Sequence, residues 1–337
     1  MSDQIIKNIE VKDAPSIEGL HFRGFRGKID YPIMIAIINA CKDADKDERS
    51  ETVEDLVTSY AHLNNCDPYK DMLFAEIDDE VVAYSRVEWA QEEITKHYIY
   101  SAFFFLVPKW RKKGLEKAIL HWDEDRLRDI AAQHPRDSER YFEAYCSEHE
   151  IEKNKLFESE GYIPARYFFS MSRPLDVIPE AELPEGIETR PAKPEHYKKI
   201  WQAEIEAFRD HWGYVEPTEK DYQGFISSSW FQPQYWQVAW DGDEVVGMVL
   251  NVINEKENKE YKRKRGYTED ISVRRPWRRR GIAKALIVRS MQMHKELGME
   301  EVALGVDTKN PSGALRLYSN LGYKVYKKFT TYRKAMK

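Results

Sequence analysis

RRPWRRRGIAKAL, residues Arg274–Leu286, sets five arginines around one tryptophan and then breaks into a glycine and an apolar run. The whole chain carries net charge −6, so this positive charge is a local concentration. Three readings compete: a nucleic-acid patch, a solvated basic loop, and a pocket for a phosphorylated small molecule. The order strand, basic loop, glycine, helix bears on the choice. Backbone N–H groups at a helix start are unpaired, and the helix dipole adds positive potential there. Gly281 lets the chain approach a ligand closely, and Ala283 is nearly as small. Together they make a phosphate cradle at a helix N terminus. The spacing matches neither G-x-x-x-x-G-K-[ST] nor G-x-G-x-x-G, so neither ATP nor NAD is indicated.

The same stretch has an echo earlier in the chain. Val107–Ala118 reads VPKWRKKGLEKA and aligns with Arg275–Ala285, RPWRRRGIAKA, on its tryptophan, three basic residues and glycine. Asp79–Tyr84, DEVVAY, returns as DEVVGM at Asp243–Met248, and Leu156–Tyr162, LFESEGY, returns as LYSNLGY at Leu317–Tyr323. Three blocks in one order at nearly constant offset make a tandem duplication. The boundary is expected in the proline-rich Ser172–Pro191, where prolines interrupt helix and sheet. The expected domains are residues 1–175 and 186–337, in keeping with 337 residues being long for one core.

Each half reads as a mixed α/β domain around a largely antiparallel sheet. In the second, WQVAWD at Trp236–Asp241 and EVVGMVLNVI at Glu244–Ile253 are strand-like and joined at Asp241-Gly242, a hairpin signal. The highly charged 254–266 reads as a long solvated turn, and YTEDISV, Tyr267–Val273, as the next strand. Ala283, Leu286, Ile287, Ser290, His294 and Leu297 form a helical stripe ended by Gly298. A short strand, Glu301–Val306, precedes Asn310-Pro311, which is expected to cap a helix running to about Asn320. A last strand follows over Tyr323–Lys334.

Composition narrows the function classes. Hydrophobic content of 42%, with nine Trp, twenty Tyr and fourteen Phe, supplies packed cores and argues against disorder. No run of about 18 apolar residues is present, so no membrane association is expected. The opening MSDQIIKNIEVKDA lacks the basic and apolar parts of a signal peptide. Cys41, Cys66 and Cys146 are odd in number, far apart and without metal-type spacing, which fits a reducing cytoplasm. Lys+Arg 52 against Asp+Glu 58 disfavours a general nucleic-acid binder.

The triplet Arg278, Gly281 and Ala283 forms R-x-x-G-x-A, which resembles the [QR]-x-x-G-x-[GA] motif of the GNAT N-acetyltransferase superfamily. The upstream strand YTEDISV and the downstream NPSGALRLYSNLGY resemble that family's flanking segments in the same order. The tandem layout, with a better-preserved second copy, is similar to the mycothiol-synthase family. The resemblance implies that acetyl-CoA is the cosubstrate and that no metal is needed. Its pyrophosphate would sit on Arg278, Arg279, Arg280, Gly281, Ile282, Ala283 and Lys284. Ile271, Ser272 and Val273 would pair with the pantetheine as an extra strand, and Asn310 would support the cofactor side. On that reading the arginines surround a pyrophosphate, with Arg274 and Arg275 left as a solvated loop.

The acceptor implied is a small-molecule or peptide amine, on a monomer or homodimer. Acetyl transfer to it needs a base for the ammonium proton and an acid for the departing thiolate. The resemblance places Tyr318 as the acid; its alternative is a buried helix tyrosine. Glu269 is the candidate base, on the face shared by Tyr267 and Ile271, with a structural carboxylate or a water chain as alternatives. Many relatives carry their base at the place of Tyr267, and alternation sends Asp270 to the opposite face. His211 and Trp212 fall where relatives shape the acceptor pocket; the alternative is packing. The second half has no cysteine, so a thiol acyl-enzyme is excluded there. In the first half Glu116, Phe157 and His149 stand where Ala283, Tyr318 and Asn310 stand, so that copy is expected to be degenerate. The rival function is a non-catalytic acyl-CoA-binding or sensing protein.

Overall fold

In the computed structural model residues 8–337 are described; residues 1–7, the start of the polar opening stretch, lie outside them. The chain folds as two compact units. One runs up to Arg166 and takes in Phe329–Lys337; the other is Tyr167–Lys328.

The first unit contains β1 (Leu20–Arg23), α1 (Tyr31–Asp45), α2 (Val53–Ala61), α3 (Pro68–Asp71), β2 (Met72–Ile77), β3 (Glu80–Gln91), β4 (Tyr98–Leu106), α4 (Leu115–Ala131), β5 (Arg140–Ser147) and α5 (Ile151–Ser159). Strands β1 to β4 pair antiparallel in chain order, and β4 pairs parallel with β5. The sheet is sandwiched. Leu115, Ile119 and Leu127 of α4 cover one face, and Met34, Ile37 and Ile38 of α1 cover the other.

After β6 (Ile163–Pro174), the second unit repeats this order. It has β7 (Ile187–Thr189), α6 (Pro194–Phe208), α7 (Glu219–Ser227), β8 (Gln237–Asp241), β9 (Glu244–Val252), α8 (Glu255–Glu260), β10 (Arg265–Val273), α9 (Ile282–Glu296), β11 (Glu301–Asp307) and α10 (Ala314–Asn320), followed by β12 (Lys324–Ala335). Strands β7 to β10 are antiparallel, and β10 with β11 is parallel. On one face Ile282, Leu286, Ile287 and Met291 of α9 pack on Val246 and Val249. On the other, Ile200 and Ala203 of α6 pack on Val245, Met248 and Leu250. Successive strand residues thus feed opposite layers, as the pleat requires.

Each sheet is completed from the other repeat. Phe168–Pro174 of β6 pairs antiparallel with β11, whereas Phe329–Ala335 of β12 pairs antiparallel with Tyr141–Ser147 of β5. The division therefore differs from the expected 1–175 and 186–337. Repeats follow chain order, but a strand's alternation does not name its hydrogen-bond partner. The proline-rich connection is also less free than its composition implied, since Ile178, Ala181 and Leu183 pack against the second unit's core.

Two local expectations change. The 254–266 stretch is not a plain turn: Asn254 caps α8, and Glu257 is buried. Nor does Asn310 cap α10. Its side chain closes a turn on Ser312, accepting from its N–H at 2.9 Å, and the helix starts at Ala314 after Gly313 at φ 79°. Among the described residues no helix is long and apolar enough to cross a membrane. The three cysteines are free thiols.

Deleting Phe329–Lys337 would leave β5 without an antiparallel partner. Hydrogen exchange should then show lost protection at alternating amides of Tyr141–Ser147 and a lower unfolding midpoint for the first unit. Unchanged protection in β5 would show that β12 is dispensable.

Candidate active site

Strand β10 changes its pairing halfway along. Arg265, Gly266 and Tyr267 pair with Glu301, Val302 and Ala303 of β11, and the ladder stops there. On its other edge β10 follows β9 with a bulge between Glu269 and Ser272, where Asp270 takes φ 46°. A bulge adds one residue to one strand and re-aims its side chains. The expected alternation therefore does not hold through Asp270. Beyond Tyr267 the edge toward β11 carries no ladder, and Ile271, Ser272 and Val273 lie along it. Gly247 keeps β9 close here, since a Cβ on it would lie 2.9 Å from the Ser272 carbonyl oxygen.

The loop after β10 answers for the arginines. Arg278 donates to the Val273 carbonyl at 2.9 Å, the Ala207 carbonyl at 2.9 Å and Asp210 at 2.7 Å. Its guanidinium is therefore a latch between β10 and the end of α6, not a group facing an expected pyrophosphate. Arg275 also pairs with Asp210, and Arg274 with Glu206 and Glu244, so neither is merely solvated. Hydrogen bonds from Arg275 and Arg278 hold the Asp210 carboxyl down at about 2. Arg279 and Arg280 remain exposed at the start of α9. Arg279 at φ 64° and Gly281 at φ 86° turn the loop so that α9 begins without a side-chain cap. The first-turn amides of Ile282, Ala283 and Lys284 are left for an anion.

At the bulge three carboxyl groups gather: Glu269, Asp270 and, unforeseen from the sequence, Glu204 of α6. Each keeps part of its surface accessible while protein surrounds it closely. They line a recess. Burial, with the Asp270 charge alongside, pushes Glu269 up to about 8. Burial pushes Asp270 up to about 6. Burial and Asp270 together raise Glu204. Such neighbours titrate as a set. The Glu269 charge also reaches the Tyr318 and Tyr323 hydroxyls, which burial keeps protonated far above neutral pH. Tyr318 is 6% exposed, its ring 6.1 Å from that of Tyr323, whose hydroxyl lies 3.0 Å from Thr268 Oγ1.

The remaining expected residues have other engagements. The Tyr267 hydroxyl donates to Glu257, and its ring meets Trp230 edge-on at 5.9 Å. It is thus a wall of the recess and not a free base. His211 rests on Phe208 with ring centroids 4.4 Å apart, and with Trp212 it follows Asp210 in the loop after α6. Asn310 stays in its own turn.

The Acetyltransferase (GNAT) family matches residues 197–323, within the second unit. A GCN5-related N-acetyltransferase from Sphaerobacter thermophilus is 26% identical, over 95% of this chain and 96% of that one, with a TM-score of 0.71. Residues 197–323 thus carry a GNAT acetyltransferase domain. The mycothiol acetyltransferase of Geodermatophilus obscurus is 23% identical over 270 residues, which is 79% of this chain and 82% of that protein. A tandem GNAT protein from the clavulanic acid biosynthesis pathway shares the fold at TM-score 0.64 and 13% identity. GNAT enzymes use an acyl-CoA cosubstrate, and an uncapped α9 beside an unpaired strand edge suits an anionic, extended ligand of that kind.

The two GNAT copies share the loop geometry but differ in what fills it. In the first unit Arg111 donates to the Leu106 carbonyl and to Asp45, as Arg278 does to Val273 and Asp210. Lys112 at φ 62° and Gly114 at φ 89° repeat Arg279 and Gly281. There, however, the Lys112 N–H donates to Glu116 at 2.9 Å, and Lys153 donates to the Phe104 carbonyl at 3.2 Å. Phe104 is the counterpart of Ile271. The chain's own side chains thus place a carboxylate on the loop amide just before the helix start and an ammonium on a strand-edge carbonyl.

Glu204 carried a readable signal: Ile200, Ala203, Glu204 and Ala207 form one i, i+3, i+4, i+7 stripe, and an acid on such a stripe is out of place. Asp210 and the turn at Asp270 had none. The raised Glu269 has a stability consequence with a definite sign. An unfolded Glu ionises near about 4.3, while the folded group holds its proton to about 8. Native stability is therefore lost as pH rises between these values, and below them both states are neutral. Glu269→Gln should melt like the wild type at pH 4 and higher than it at pH 8. An equal shift at both pH values would reject the buried titration.

Proposed function

We propose that the protein transfers the acetyl group of acetyl-CoA to a primary amine by direct attack, in its second unit. The observation that carries this is the contrast between copies: Gly281–Lys284 carries no acidic side chain, whereas in the first copy Glu116 stands at the place of Ala283 with its carboxylate on the Lys112 amide, and Lys153 takes a strand-edge carbonyl. The amine acceptor class agrees with that of the acetyltransferase relatives.

In this reading the pyrophosphate rests on the Ile282, Ala283 and Lys284 amides with Arg279 and Arg280 beside it. The pantetheine follows the edge of Ile271, Ser272 and Val273. The amine nitrogen then attacks the thioester carbonyl carbon. A C–N bond forms, the C–S bond breaks, and the amine's proton passes to Glu269, directly or through one water. A carboxyl poised near neutral pH suits that task. Tyr318 donates its O–H proton to the departing sulfur; Glu269 afterwards releases its proton to solvent and Tyr318 regains one.

Calorimetry with acetyl-CoA should give one site per chain, and Gly281→Glu should abolish it by placing a carboxylate in the cradle at a left-handed backbone position. Two equivalent sites would refute a filled first unit.

Tyr318→Phe should lower kcat by roughly 10²–10⁴-fold, the range for losing a positioned acid, with acetyl-CoA affinity retained. Glu269→Gln should lower the rate near neutral pH, with partial recovery as pH rises and amine arrives deprotonated. Tight acetyl-CoA binding with no turnover of any amine would favour a binding protein instead.

A further inference from the structure

The side chains of Glu204, Glu269 and Asp270 make no hydrogen bond or ion pair with any described residue, and Glu204 Oε2 is fully buried without a donor. Leaving a buried carboxyl without a partner is costly. Several neighbouring cations are committed elsewhere, Arg274 to Glu206 and Glu244, Arg275 and Arg278 to Asp210, and Arg263 to Glu257, and no ion pair joins any cation to Glu204, Glu269 or Asp270 among the described residues. No group of three or more His, Cys, Asp or Glu side chains among the described residues is arranged to hold a metal ion. Burial favours the protonated form of these carboxyls when nothing is bound, and a cation on the acceptor can take the place of those protons.

A single reacting amine accounts for one carboxyl, Glu269. Asp270 and Glu204 remain, on β10 and on the α6 helix that packs across it. We infer that the acceptor carries two cationic amino groups a few bonds apart, one reacting beside Glu269 and the other held by Asp270 and Glu204. This rests on the transferase reading above. Tyr267, two residues before Glu269 on β10, meets the Trp230 ring edge-on at 5.9 Å, and aromatic rings of this kind suit a methylene stem and a cation. Glu204 is then a specificity-determining residue. Binding of the dication displaces the protons that the recess holds when empty.

The test uses the full chain, saturating acetyl-CoA and thiol release, with 1,4-diaminobutane against 4-aminobutan-1-ol, which keeps the length and replaces the second ammonium by a hydroxyl. The diamine should have a kcat/KM at least about tenfold higher, the factor that 1.4 kcal/mol supplies. Glu204→Gln should shrink that ratio toward one through KM. Equal kcat/KM for the two compounds in the wild type would overturn the dication inference while leaving an active transferase. If neither compound turns over, calorimetry in the presence of CoA decides. Preferential diamine binding that Glu204→Gln weakens, with proton release seen as a buffer-dependent enthalpy, would support the acidic site and sink the transferase reading. No preference would sink the dication inference itself.

Discussion

The second unit depends on where β10 stops being paired. For three residues it is held on both edges, and beyond Tyr267 by β9 alone. An interior strand left half-paired exposes backbone N–H and C=O groups that need partners. The protein meets part of that need itself: Thr268 Oγ1 donates to the Ala303 carbonyl at 3.3 Å, and Arg278 takes the Val273 carbonyl. What remains is an extended edge running toward the start of α9, the shape into which an elongated amide-bearing ligand fits as a partial strand. The bulge at Glu269–Ser272 lies inside the same segment. One irregularity in one strand thus supplies both a docking edge and a turned-out pair of carboxyls.

The two copies separate scaffold from function. The arginine latch, its aspartate and the left-handed loop residues recur in both units, so they belong to the architecture that holds a helix start against a strand end. What does not recur is the emptiness. In the first unit a carboxylate five positions after the latch arginine, Glu116, sits on a loop amide, and Lys153 sits on the strand edge. The first sheet also pairs β3 with β4 without any bulge. Ala102 and Phe103 stand where Glu269 and Asp270 stand. The first copy keeps the frame and has lost the acidic recess together with the irregularity that would display it.

The hairpin at Asp241-Gly242, the helix from Ile282 and the duplicated order of elements were legible because turn chemistry and periodicity are local. Asn310 misled because an Asx turn and an N-cap use the same side-chain geometry over neighbouring amides. The arginine loop misled in a different way. Basic residues in a row read as one patch, whereas three of the five pair with acids and two are left without. Partner choice across 60 or 70 residues, as between Arg278 and Asp210, leaves no local trace. The exchange of β6 and β12 escaped for the same reason.

Three acids near the end of α6, Glu204, Glu206 and Asp210, have two fates. Glu206 neutralises Arg274, and Asp210 neutralises Arg275 and Arg278, so both spend their charge holding the cosubstrate loop. Glu204, on the helix face that carries Ile200 and Ala207, has no cation and lies against Asp270. Had the acidic character of α6 served only to anchor the arginines, Glu204 would be better replaced by an apolar residue like its stripe neighbours, since an unpaired buried carboxyl destabilises what it packs against. Positive charge is left over at one end of β10, in Arg279 and Arg280, and unpaired carboxyls at its bulge. On the proposed reading an anionic donor and a cationic acceptor would be directed to opposite ends of one strand, with the reacting thioester between them.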